Sequence, residues 1–120
     1  MKILSTLFLA LFLVVPEAFG AEFVDGMDDI PLPEGMSQIH SASISFGNDE
    51  SRFNEAYISS KKATFAKVAE FYNNTLPQLG WNFVGKKENS LHFERDMEIL
   101  DIVLEKSKPL LVRMTLKSKD

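Results

Sequence analysis

His40 and His92 are the only histidines of the 120-residue chain, and their neighbourhoods place them on different strands. A metal site normally shows a close His pair, or a His with a carboxylate at fixed spacing. Both residues therefore read as half-exposed strand histidines. Asp25, Asp28 and Asp29 form an acidic cluster. A calcium loop needs more oxygen ligands at set offsets, so this cluster reads as a solvated leader. Ser43 and Ser45 read as the polar side of a strand, with no base implied beside them. No G-x-S-x-G, H-E-x-x-H, P-loop or G-x-G-x-x-G pattern occurs. Asn73-Asn74-Thr75 matches a three-residue glycosylation pattern, but it falls inside a helix. There is no cysteine, which excludes thiol catalysis, thiolate zinc, iron–sulfur ligation and any disulfide. No catalytic residue, cofactor or metal is expected.

What remains is a surface. Alternation directs His92, Glu94, Asp101, Val103, Arg113 and Thr115 to one side of a sheet. Mixed charges there read first as a solvated face. The competing reading is a docking face on which His92, Glu94, Asp101 and Arg113 meet a protein, or a sheet edge to which a peptide strand adds. Two functions follow. The preferred one is a non-enzymatic binding or accessory module with a protein or peptide partner. The alternative is a small hydrolase-like enzyme with an unrecognised site around His92, using Glu94 or Asp101, since cross-strand neighbours lie ~5 Å apart. Nothing in the sequence supplies its nucleophile or oxyanion donor.

These residues need elements to hold them. Ser41–Phe46 alternates strictly and is expected to turn Ala42, Ile44 and Phe46 inward. After a turn at 47–50, Arg52–Ser59 forms a second strand, completing a hairpin. Its facing is mixed, because Phe53 and Tyr57 oppose Ala56 and Ile58. Thr64 caps a helix over about 64–79. Phe65, Val68, Ala69, Tyr72, Leu76 and Leu79 recur at helical spacing as one apolar stripe. Pro77 loosens the last turn, and Gly80 supplies the left-handed stop.

Beyond the helix, Trp81–Val84 turns Trp81 and Phe83 inward, and Ser90–Arg95 does so with Leu91 and Phe93. Ile99–Glu105 buries Leu100, Ile102 and Leu104. Leu110–Lys117 buries Leu110, Val112, Met114 and Leu116. Phe71, Tyr72, Trp81, Phe83 and Phe93 read as core around the helix end rather than as the lining of a pocket. A tight turn between the last two strands would pair Leu104 with Leu110 and Ile102 with Val112, setting Asp101 opposite Arg113. The expected architecture is α+β: a two-layer β-β-α-β-β-β domain, with one helix packed on one face of an antiparallel sheet.

The N-terminus adds a compartment. Lys2, the apolar run Ile3–Val15 and the small residues of Ala18-Phe19-Gly20 read as a cleavable signal peptide, 1–20. The run is shorter than the ~20 apolar residues of a spanning helix. Residues 21–38, with Pro31, Pro33 and Gly35, read as an extended leader that Phe23, Ile30, Leu32 and Met36 could pin, and 39–120 as one α+β domain. The net charge is −4, and removing Lys2 and Glu17 leaves it unchanged. Such a balance argues against nucleic acid and against a polybasic membrane patch. With no cysteine after the cleavage site, no stable membrane anchor is expected. The product is an exported domain, periplasmic or secreted, and soluble.

The leader Phe23-Val24-Asp25-Gly26-Met27-Asp28-Asp29-Ile30-Pro31-Leu32-Pro33-Glu34-Gly35-Met36 and the helix end Phe71-Tyr72-Asn73-Asn74-Thr75-Leu76-Pro77-Gln78-Leu79-Gly80-Trp81 resemble a family of small exported bacterial proteins with no assigned activity. Leu91-x-Phe93-Glu94 and the closing apolar strand fit the same layout. The resemblance covers residues 23 to 117. It implies the compartment and the fold, and brings no mechanism.

Overall fold

Strand alternation and one amphipathic helix generate a single open sheet with cover on one side. The computed structural model describes residues 22–48 and 51–119. The expected signal segment 1–20 and its cleavage site lie outside the described residues. Among the described residues there are seven strands: β1 Ser37–Gln38, β2 Ile44–Gly47, β3 Arg52–Ser60, β4 Asn82–Lys87, β5 Ser90–Arg95, β6 Glu98–Glu105 and β7 Leu110–Ser118. The helix α1, Phe65–Thr75, lies between β3 and β4. Every pairing is antiparallel, and the sheet order is β1-β3-β7-β6-β5-β4, with β2 also pairing β3. The last strand in sequence therefore sits in the middle of the sheet. The α+β architecture is as expected, but the strand order was short: four strands follow the helix, and the leader's end contributes β1.

The helix forms where its caps predict. The Thr64 hydroxyl accepts from the Lys67 amide at 3.2 Å. The α-helix gives way at Leu76 to a 3-10 turn, Leu76–Leu79, containing Pro77. Gly80 then takes φ 93°, a left-handed stop that a side chain would strain. Val68, Tyr72 and Leu76 bury against Leu91, Phe93, Leu100, Ile102, Val112 and Met114 in one core. Trp81 joins it at 1% exposure. Its indole N–H has no partner among the described residues, and the Arg95 guanidinium lies 4.2 Å from the ring centroid. Phe83 departs from expectation: it is 50% exposed. It pairs with Phe93 on the inner side, but β4 is an edge strand, irregular after Phe83, and nothing covers its outer half.

The leader is more than a pinned arm. Val24, Met27, Ile30, Leu32 and Met36 are all buried in the same core, while Phe23 stays exposed. The segment folds back on itself through Val24 N–H to Ile30 O (2.8 Å) and Leu32 N–H to Glu22 O (3.0 Å). The Tyr72 hydroxyl donates to Pro31 O at 2.9 Å. Asp29 pairs with Arg95 at 2.5 Å. Leader and helix together cover the inner face of the sheet.

That cover inverts β2. Ile44 and Phe46, expected inside, are 47% and 64% exposed. Residues 40–42 form a 3-10 turn rather than strand, and this turn shifts the pairing with β3 by an odd number of residues between β1 and β2. An odd shift exchanges the faces. Ser45 now lies opposite buried Asn54 and hydrogen-bonds its Oδ1 (2.5 Å), while Ile44 and Phe46 share the outer face with Glu55 and Phe53. Ser43, just before β2, meets the leader: Asp25 Oδ2 accepts from its hydroxyl at 3.0 Å and lies 2.6 Å from His40 Nδ1. Gln38 bridges Asp25 N–H and Phe23 O.

The last hairpin also corrects an expectation. Leu104 pairs with Val112, Ile102 with Met114 and Asp101 with Thr115, so Asp101 does not face Arg113. Either register keeps the apolar residues together, since side chains alternate. The expected tighter turn would have placed Pro109 in the ladder opposite Glu105, where it has no N–H to donate. In the observed register Glu105 pairs with Leu111 and Pro109 stays in the loop, where its carbonyl accepts from Ser107 Oγ at 2.8 Å.

Candidate functional site

The outer face of the sheet is uncovered by any described element. Its positions follow from the pleat: inner residues such as Ala56, Ile58, Ile102 and Val112 are buried, and their neighbours Tyr57, Ser59, Val103 and Leu111 are partly exposed. His92 and Asp101 are directly opposite on β5 and β6, and His92 Nδ1 lies 2.6 Å from Asp101 Oδ1. Both side chains are partly exposed. The contact fixes the ring and leaves Nε2 as its free nitrogen. Glu94, two residues along β5, pairs with Lys119 at 2.9 Å. Arg113 lies on β7 between Tyr57 of β3 and Val103 of β6, exposed and without a carboxylate partner among the described residues.

The four residues singled out from sequence thus share a face without forming one cluster. His92, Asp101 and Glu94 occupy the β5–β6 side, while Arg113 stands one strand away. A His–carboxylate pair can orient an imidazole for proton transfer, and His92 faces Gly85 and Asp101 across its two ladders. The three clefts described in the structure are lined by other residues. Among the described residues no group of three His, Cys, Asp or Glu side chains could hold a metal. Nor is any helix among them long and apolar enough to cross a membrane.

Sequence reasoning missed the apolar end of this face. Phe46 stacks on Phe53 with ring centroids 5.1 Å apart, and Ile44 stands beside them opposite Glu55. This patch lies four strand spacings from His92, or ~20 Å. Alternation in Ser41–Phe46 was a true signal of a two-faced strand. What was missing was the side on which the core would lie. Compared with family models, curated proteins and solved structures, the chain matches none.

Proposed function

We propose that this chain is a small exported domain, soluble after signal removal and periplasmic or secreted, that acts by binding a protein partner on the outer face of its sheet rather than by catalysis. The observation that carries this reading is the pair Ile44 and Phe46, held exposed on the face of β2 opposite to the one from which Ser45 reaches Asn54. Single exposed apolar residues are ordinary, but Ile44, Phe46 and Phe53 share one corner of the face, and Tyr57 and Leu111 follow beyond Glu55, to which the Tyr57 hydroxyl donates. Arg113 and the His92–Asp101 and Glu94–Lys119 pairs supply a polar border of the kind that surrounds an apolar interface centre. Membership of the small exported family belongs to the same proposal. It is supported by direct contact between the two segments that carry the resemblance, through Tyr72 and Pro31.

A photo-crosslinking residue placed at Phe46, Tyr57 or Glu70 in the native envelope tests the reading. Adducts with one protein at positions 46 and 57, but not at 70 on the helix exterior, are expected. The double variant Ile44→Ser with Phe46→Ser should abolish them at a stability cost of about 1–2 kcal/mol, because both side chains are half exposed and Phe46 stacks on Phe53. Equal adducts at all three positions, or none, would overturn it. The hydrolase reading rests on the His92–Asp101 contact alone, and His92→Gln should leave the adducts intact.

A further inference from the structure

At the end of the sheet where α1 begins, the β3–α1 loop and the β6–β7 loop enclose a cleft of about 510 Å³. Lys61, Lys62, Lys106 and Lys108 line it, over an apolar floor that includes Phe65 and Leu110. A fifth lysine approaches from β4. Lys106 Nζ lies 4.6 Å from the Phe65 ring centroid, and Lys86 Nζ lies 5.9 Å from the same centroid. One aromatic ring thus gathers two ammonium groups, one from β4 and one from the β6–β7 loop, at the mouth of the cleft.

None of these five lysines has a carboxylate within ion-pair distance among the described residues. Lys67, Lys87, Arg113 and Lys117 are likewise without such a partner, whereas Arg52, Arg95 and Lys119 are paired with Glu98, Asp29 and Glu94. What sets the five apart is that four line one cleft and the fifth shares an aromatic ring with one of them. Like charges ~8 Å apart in water repel by about 0.5 kcal/mol per pair, so the gathering is unfavourable until an anion enters. The acidic total, which argued against nucleic acid and a polybasic membrane patch, conceals a cluster of lysines at one end of the sheet.

The cleft is also built. Ser60 Oγ accepts from the Lys62 and Ala63 amides at 3.0 and 2.9 Å, which fixes the first loop. Ser107 Oγ donates to Pro109 O, which fixes the second. We infer that this cleft binds a multiply charged phosphate-bearing anion. Lysines act as point charges that suit the several oxygens of a phosphate, and the cleft lacks the arginine fork that favours a planar carboxylate. The inference is independent of the partner proposed for the outer face.

Inorganic tripolyphosphate, titrated into the ¹⁵N-labelled protein, tests it. Amide shifts are expected at 61–66 and 106–111, with affinity falling as salt is added. Lys61→Glu with Lys106→Glu should weaken binding roughly ten-fold or more, a loss of ~1.4 kcal/mol or more. Lys61→Gln with Lys106→Gln, which removes charge without reversing it, should weaken it less but in the same direction. Arg113→Glu with Lys117→Glu, carrying the same charge change on β7, should leave it within about two-fold. Thermal melts establish that each variant is folded. Co-sedimentation with vesicles containing phosphatidic acid, whose phosphomonoester headgroup ionises twice, separates the sources. Capture that is lost in the cleft variants assigns a lipid headgroup, and tripolyphosphate binding without capture assigns a free phosphate anion. No amide shifts and no capture, or equal weakening in cleft and β7 variants, would overturn the inference.

Discussion

Tyr72→Phe removes one oxygen from the centre of the molecule and leaves its ring in place. Tyr72 is fully buried, and its hydroxyl donates to Pro31 O at 2.9 Å with Met114 Sδ 3.6 Å away. A buried hydrogen bond contributes a net ~0.5–1.5 kcal/mol, but a buried carbonyl left without a donor costs ~1–3 kcal/mol. These are two views of the same loss, so they do not add. Pro31 is buried and its carbonyl has no other donor among the described residues, which places the expected cost at about 1–3 kcal/mol. Urea unfolding of both proteins measures it, with an unchanged slope showing that the unfolded reference is the same. Because Tyr72 ties the leader to the helix, limited proteolysis should cut residues 22–36 faster in the variant. A loss below about 0.5 kcal/mol with an equally resistant leader would refute the reasoning, since the bond could then not be what tethers the leader.

Burial pushes the Tyr72 phenol above its ordinary value of 10.0. Its folded-state value thus exceeds its unfolded one, so the associated stability is complete below pH ~10 and falls as pH rises from there. Melting curves from pH 8 to 11 should show a steeper alkaline decline in the parent than in Tyr72→Phe, in which every other titrating group is shared. Trp81→Ala should cost ~3–5 kcal/mol by urea unfolding, as large aromatic truncations in cores do; a blue-shifted parent tryptophan emission would report the same burial. Arg95→Met keeps the aliphatic stem but loses the pairing with Asp29, the bond to Leu79 O at 3.1 Å and the contact with Trp81. It should cost ~1–3 kcal/mol, and calorimetry showing no change would mean that the Asp29–Arg95 pair does not help to hold the leader.

The helix was legible because its signals are local: Thr64 at the start, Pro77 and Gly80 at the end, and one stripe between them. The central strands were legible because β5, β6 and β7 each have one wet face and one dry one. Phe83 misled because the period tells which residues share a side but not whether anything lies over it. Ile44 and Phe46 misled for a related reason. Their side of the sheet was decided by a leader whose Asp25 and Gln38 find partners among residues later in the chain, and by a 3-10 turn at 40–42 that changes parity. In the last hairpin alternation fixed the parity of the register, and the missing N–H of Pro109 decided between two registers of equal parity. His92 and Asp101 could be named as outward from sequence, but their contact depends on the β5–β6 register. The lysine cleft was hidden because its residues come from three separate stretches, and a net charge averages over all of them.

The central place of β7 also sets the order of events during synthesis. The β3–β7 ladder joins residues 53–60 to 110–117, and the Arg52 amide reaches Ser118 Oγ. These are long loop closures, and contacts of this kind form late and slowly. The middle of the sheet is therefore absent until β7 has left the ribosome. A chain that has not yet made β7 has edge strands on either side of a gap, and the leader has no complete surface on which to close. Loss of part of β7 should consequently be far more damaging than loss of part of β4, which lies at the rim.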